Sequence, residues 1–231
     1  MGTFTIIRHG QASFSKENYD CLSPLGEEQS RKMGAWWLAM NQTWDVAYVG
    51  PKQRHRQTFE AVAAVYKDAG VAFPQPVFMD EFNEHQGASV VRAVLAEENH
   101  PNIVNGKLKA RTEADKRDYF HRYQQITRKW ARGEVEVPEY EAWNAFRDRV
   151  SSGIKKVVDK GSHRAVVFSS GGPVAVSAGY AMGLDHETVL EMSWQVRNVA
   201  RSDFLFSGSR FTQISFNALP HINHPRLSTL I

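Results

Sequence analysis

The chain has 231 residues, 42% of them hydrophobic, with 13 Phe, 7 Tyr and 6 Trp, so an intrinsically disordered protein is excluded. The formal net charge of +3 fits an anionic ligand, and because there is neither a Lys/Arg-rich arm nor an aromatic RNA-binding signature, we expect no nucleic-acid partner. The single cysteine, Cys21, excludes an internal disulfide. No signal peptide or membrane-length apolar run is present, which predicts a cytoplasmic protein without a membrane partner.

The first part of the chain alternates strands and helices. Short apolar runs predict three strands, at Thr3–Ile7, Val46–Val49 and Val77–Met79. One helix is predicted to start at Ser23-Pro24, because serine can cap a helix and proline suits its first position. A second helix is predicted from about Gln53 to Asp68.

The middle of the chain turns polar and helix-prone. Nine Lys or Arg residues lie between 107 and 132, and a long helix is predicted from near Glu139. We interpret 89–160 as a helical insertion within a single domain of residues 1–231. Its location suits a partial lid over a pocket, although a basic helical stretch is more often a solvated face.

The last third returns to alternating elements. Ala165–Phe168 predicts a buried strand, and Pro173 starts a helix. A hairpin is predicted from Ser202–Phe206 and Phe211–Phe216 around Gly208-Ser209. Strands that alternate with helices indicate a three-layer α/β/α fold, with a mostly parallel central sheet and an antiparallel edge.

Two strand ends mark the expected ligand site. In open parallel sheets, ligands bind beyond the carboxyl ends of the strands. The first strand ends at Arg8-His9-Gly10, and the strand at Ala165–Phe168 ends at Ser169-Ser170-Gly171-Gly172. We therefore expect these two loops to face one pocket.

Five segments carry a family pattern in its expected order. They are Arg8-His9-Gly10, Leu22-Ser23-Pro24-Leu25-Gly26, Pro51–Thr58, Phe82–Gly87 and Asn217–His221. Together they resemble the histidine phosphatase superfamily, also called phosphoglycerate mutase-like proteins. The fourth segment differs from the family pattern in its glycine spacing. The likeness covers nearly the whole chain except roughly 89 to 160, and it implies the phosphoglycerate mutase-like fold.

The resemblance implies a role for each of four side chains. His9 is the nucleophile that forms a phosphohistidine. Arg8 and Arg54 hold phosphate oxygens with their planar guanidinium groups. Glu84 donates a proton to the leaving oxygen, with Glu81 as the alternative acid. The implied activity is that of a phosphomonoesterase that needs no metal or other cofactor and acts on a small phosphorylated substrate.

One position departs from the family. Members carry Ser-His-Gly-Gly after the buried strand, whereas Ser170 stands here in place of the histidine, so Ser170 and Gly171 are left as phosphate-binding residues. A hydroxyl supplies no positive charge, and loss of one such donor costs about 10²–10³ in rate. We therefore expect Ser170→His to raise activity. His55 and His85 are candidates for compensation.

Two alternatives stay open beside the phosphatase. A phosphoglycerate mutase is the first, but that group resembles Arg-His-Gly-x-Ser-x-Trp-Asn, whereas the glycine is followed here by the residues Gln11 to Ser15. The second is a phosphate-ligand-binding protein with weakened turnover, which the serine at 170 suggests. The sequence leaves the substrate and the oligomeric state open.

Overall fold

The computed structural model of this protein describes residues 1–13, 20–104, 107–109, 112–161 and 163–230. Phe14 and Ser15, which contribute to the mismatch with the mutase pattern, lie outside the described residues. None of the described helices combines the length and the apolar character that crossing a membrane requires.

A mixed sheet forms the centre of the fold. The strands in chain order are β1 (Gly2–Arg8), β2 (Val46–Val49), β3 (Pro76–Phe78), β4 (Ile103–Val104), β5 (Lys107–Leu108), β6 (Arg164–Ser169), β7 (Arg201–Ser207) and β8 (Arg210–Ala218). Six of them form one sheet in the order β3-β2-β6-β1-β7-β8, while β4 and β5 pair only with each other. The strands β3, β2, β6 and β1 run parallel, and β7 and β8 add an antiparallel edge. The predicted sheet is confirmed.

Helices cover both faces of this sheet. They are α1 (Pro24–Ala39), α2 (Gln53–Asp68), α3 (Gly87–Glu97), α4 (Glu113–Ala131), α5 (Trp143–Val158), α6 (Gly171–Met182) and α7 (His186–Gln195). The predicted starts of α1 and α2 agree with the structure. The helix predicted from near Glu139 starts later, because Tyr140 first forms a turn in which its amide donates to the carbonyl of Val137 at 2.9 Å.

Two apolar clusters, one on each face of the sheet, explain the three layers. Alternate residues of a strand point to opposite faces. Ile6 of β1 packs in the cluster that contains the inward side chains of α5 and α6, and Ile7 packs in the cluster that contains those of α1 and α2. Each face of the central strands is thus buried by helices, as expected for parallel strands rich in β-branched residues.

The region proposed as an insertion divides into two parts. The helices α3 and α4 form a small apolar cluster from Val91, Leu95 and Ile126, and they add only Val90, Trp130 and Ala131 to the main core. The helix α5 has its whole inward face in the main core, including Phe146 and Val150. Because its inward face is buried against the sheet layer, α5 is part of the domain core, and only α3 and α4 with the segments beside them remain candidates for a lid.

Candidate active site

The carboxyl ends of four parallel strands meet at one edge of the sheet, as expected for an open α/β fold. A cavity of about 490 Å³ opens there. It is lined by Arg8, His9, Lys52, Arg54, Asn83, Glu84, His85, Gln86, Ala88, Ser89, Arg92, Tyr123, Gly171, Gly172, Ser193 and Trp194. The structure thus brings together five of the six predicted site residues around this cavity.

The loop that carries His9 is held from several sides. The amide of His9 donates to the carbonyl of Ser169 at 2.8 Å, which continues the pairing of β1 with β6. The amide of Gly10 donates to Thr58 Oγ1 at 3.1 Å. A Cβ atom on Gly10 would lie 2.3 Å from the carbonyl oxygen of Gly26, so only glycine fits against the start of α1. The close packing explains why the segments around Gly26 and Thr58 accompany the Arg-His-Gly triplet.

The hydrogen bonds of His9 define its tautomer. Its Nδ1 lies 2.6 Å from the carbonyl oxygen of Gly10, and a carbonyl can only accept, so Nδ1 carries the proton. Its Nε2 lies 3.0 Å from Nε of Arg54, which can only donate, so Nε2 presents a lone pair. Burial, followed by the positive charges of Arg54 and Arg8 and by the His55 ring, holds the pKa of His9 well below its usual range. The imidazole is therefore neutral at physiological pH and nucleophilic at Nε2.

Arg54 belongs to the first turn of α2 and is oriented by an aspartate that the sequence analysis missed. Its Nη1 donates to Asp20 Oδ1 at 2.7 Å, and Asp20 Oδ2 accepts from the amide of Gln53 at 3.0 Å. Asp20 lies 34 positions away in sequence from Arg54, so no local sequence motif could predict this ion pair. The carboxylate fixes the direction of the guanidinium group that meets His9.

Arg8 reaches the cavity from the end of β1. Its Nη1 donates to the carbonyl of Leu230 at 2.6 Å and also to the carbonyl of Val196. These contacts anchor the side chain to the segment before β7 and to the C-terminal segment. Their partners lie 188 and 222 positions away in sequence, so sequence patterns could not reveal them.

The structure separates the two candidate proton donors. Glu84 lines the cavity, and its Oε2 accepts from the amide of Gly172 at 3.3 Å, while its Oε1 accepts from the amide of His85 at 3.0 Å. Glu81 forms an ion pair with Lys156 instead, and it is not among the residues that line the cavity. A hydrogen bond from Lys156 lowers the pKa of Glu81. Of the two acids, Glu84 is the one that lines the same cavity as His9.

The loop after β6 presents its glycines, not its serine, to the cavity. Gly171 and Gly172 line the cavity, whereas Ser170 is fully buried behind its wall and does not line it. Ser170 Oγ lies 2.6 Å from Nε2 of His55, whose ring fills the space beside it. A histidine at position 170 would have to share this space with the His55 ring, and the gain of activity expected from Ser170→His stays a prediction.

The carboxylate of Glu84 occupies space that is free because Gly172 has no side chain. A Cβ atom on residue 172 would lie 2.2 Å from Glu84 Oε1. We expect Gly172→Ala to displace this flexible carboxylate and to lower any phosphatase kcat at least about tenfold. The same Cβ atom would lie 2.8 Å from Cδ2 of His85 and 3.0 Å from Cζ of Phe146, so the free energy of unfolding should fall even though alanine favours a helix by about 1 kcal/mol over glycine. Phosphate-release rates and urea unfolding check the two parts, and unchanged activity would contradict this placement of Glu84.

Buried histidines also set the pH dependence of stability. Burial lowers the pKa of His9, of His55 and of His221, the last to about 3. An unfolded histidine binds a proton near pH 6.5, so below that pH the unfolded state takes up protons that the folded state excludes, and stability falls. Each such histidine should lower the free energy of unfolding by about 1.4 kcal/mol when the pH falls from about 7.5 to about 5.5. Urea unfolding at both pH values measures the loss, and His221→Gln should reduce it; an equal loss in this variant would contradict the buried, neutral state of His221.

The family model described as histidine phosphatase superfamily (branch 1) matches residues 4–88 and 96–218. The chain belongs to this superfamily. No curated protein sequence matches it.

Solved structures share the fold of this histidine phosphatase superfamily member. A phosphoserine phosphatase from Entamoeba histolytica, in complex with 3-phosphoglyceric acid, superposes with a TM-score of 0.65 at 15% identity, covering 96% of this chain and 99% of that chain. A structure from Escherichia coli K-12, provisionally named as an alpha-ribazole-5'-P phosphatase, has a TM-score of 0.67 at 16% identity. The match covers 94% of this chain and 96% of that chain. A phosphoglycerate mutase from Bacillus anthracis has a TM-score of 0.63 at 13% identity, and the match covers 95% of this chain and 94% of that chain. These likenesses establish the phosphoglycerate mutase-like fold.

Proposed function

We propose that this protein is a metal-independent phosphatase that acts on a small phosphorylated molecule through a phosphohistidine on His9. The observation that carries the proposal is the Nε2 lone pair of His9, held by Arg54 at 3.0 Å on the wall of the cavity. A neutral, pre-oriented imidazole beside guanidinium groups is the arrangement that attack on a phosphate ester needs.

In the first step, the His9 Nε2 lone pair attacks phosphorus, and the bond from phosphorus to the leaving oxygen breaks. Glu84, in its acid form, donates a proton to that oxygen. Arg8 and Arg54 offset the negative charge on the phosphoryl oxygens. When the ester binds, the Nε of Arg54 donates to a phosphoryl oxygen instead of to Nε2 of His9. The proton stays on Nδ1 of His9, which continues to donate to the Gly10 carbonyl, and this hydrogen bond stabilises the positive charge of the phosphorylated ring.

In the second step, water attacks the phosphohistidine and the bond between nitrogen and phosphorus breaks. The Glu84 carboxylate takes the proton from this water, which restores its acid form. Neutral His9 and inorganic phosphate are the products. The amide of Gly171, at the positive end of α6, favours the anion in both steps.

The test is release of inorganic phosphate from 4-nitrophenyl phosphate and from small alkyl phosphates by the purified protein, with a metal chelator present. We expect turnover that the chelator leaves unchanged. Interconversion of phosphoglycerate isomers without net phosphate release would instead identify a mutase.

A phosphate-binding protein with little turnover is the second candidate, which the serine at 170 and its burial away from the cavity favour. Calorimetric titration with inorganic phosphate distinguishes the two. Binding without release of phosphate from any ester would support this candidate against the phosphatase.

A further inference from the structure

His55 is a buried titratable residue that takes no part in the steps above. It directly follows Arg54 in the first turn of α2, and none of its surface is exposed. Its Nε2 lies 2.6 Å from the hydroxyl of Ser170, which is also fully buried. The hydrogen bond therefore links the start of α2 to the start of α6 in a place where water does not compete for it.

Ser170 holds the N-cap position of α6, but its side chain does not cap this helix. Three other N-cap residues with short polar side chains each accept a hydrogen bond from an amide of their own helix: Ser23, Thr112 and Asp185. The hydroxyl of Ser170 is bonded to His55 instead. In Ser170 the bond to His55 takes the place of a capping bond.

Only one amide of α6 is within reach of a capping side chain at position 170. An N-cap side chain bonds to the amide of the second or third helical residue. The third residue is Pro173, which has no N–H, and the second is Gly172, whose amide donates to Glu84 Oε2 at 3.3 Å. Ser170 and Glu84 thus compete for the same N–H group.

We propose that His55 is a positioning residue that holds the Ser170 hydroxyl away from the Gly172 amide, so that this amide remains available to orient Glu84. Either tautomer of His55 serves, because a hydroxyl can donate to Nε2 or accept from it. The inference rests on the proposed function for its kinetic readout. In this proposal Ser170 is not a phosphate ligand but a competitor of Glu84 for the Gly172 amide, which His55 keeps from reaching that amide.

The kinetic test compares substrates that differ in their need for a proton. His55→Leu fills the space without a hydrogen bond, and it should lower kcat about tenfold for an alkyl phosphate, less for 4-nitrophenyl phosphate, and change KM little. His55→Gln keeps a polar group near the Nε2 position and should stay close to the parent protein. If His55→Leu does not fold, His55→Ala provides the same comparison.

The decisive variant removes the competitor. Ser170→Ala should match the parent in kcat and KM. The double variant His55→Leu/Ser170→Ala should recover the rate with alkyl phosphates that His55→Leu loses, because no hydroxyl is left to accept from the Gly172 amide. Two other buried side chains provide matched controls: Ser177→Ala in α6 and His221→Ala should not change the substrate dependence. A double variant as slow as His55→Leu would overturn the proposal, and so would a raised KM in Ser170→Ala.

A readout independent of turnover separates this inference from the proposed function. The NMR shift of the Gly172 amide should respond to Glu84→Gln in the parent protein and lose that response in His55→Leu. An amide that responds equally in both backgrounds would refute the positioning role even if the protein were an active phosphatase. A parent that shows the expected amide response but no hydrolysis would leave the positioning role supported and the phosphatase proposal refuted.

Discussion

Replacing His9 with alanine should reduce phosphate release at least about 10⁴-fold, to the uncatalysed background, because the group that takes the phosphoryl group is lost. Rapid quenching of the parent protein with a labelled ester should trap a covalent phosphoenzyme that is stable in base and labile in acid, as expected for phosphohistidine. The variant should form none. It should still bind inorganic phosphate, since Arg8 and Arg54 remain in the cavity wall.

The matched control is His121→Ala. His121 is exposed on α4, where its Nε2 lies 2.8 Å from Nε2 of Gln125, and it is not among the residues that line the cavity. Removing this imidazole should leave the rate unchanged. If the parent and His9→Ala released phosphate at the same background rate, the hydrolase proposal would have to be abandoned.

Glu84→Gln should lower kcat by about 10²–10⁴ for alkyl phosphates, because glutamine cannot donate the proton that a poor leaving oxygen requires. The loss should be smaller for 4-nitrophenyl phosphate, whose leaving group departs as a stable anion. Glutamine has nearly the same shape as glutamate and can still accept from the Gly172 amide, so the folded structure should be retained. A series of phosphate esters with different leaving-group pKa values measures the effect as a steeper dependence of log kcat on that pKa.

Glu81→Gln makes the same chemical change three residues away. Glu81 pairs with Lys156 at the surface, and such pairs contribute about 0–1 kcal/mol to stability. We therefore expect a small change in the free energy of unfolding and parent-like kinetics. A larger loss of activity in Glu81→Gln than in Glu84→Gln would exchange the roles assigned to the two carboxylates.

Local sequence patterns determined much of the fold. The apolar run in β1 and the serine-proline start of α1 predicted elements that the structure contains, because a buried strand and a helix start depend mainly on neighbouring residues. The helix α7 was missed although it has a local signal, the Asp185 side chain that caps it. Its 10 residues are few for a pattern with a period of 3.6.

The sequence by itself also determined that His9 follows a buried strand and that the chain carries the segments of its superfamily, since each is a contiguous run. Only the tertiary structure decided which distant side chains meet: Asp20 with Arg54, His55 with Ser170, and Leu230 with Arg8. The physical reason is that strand order and helix packing, not spacing along the chain, bring these groups within hydrogen-bonding distance.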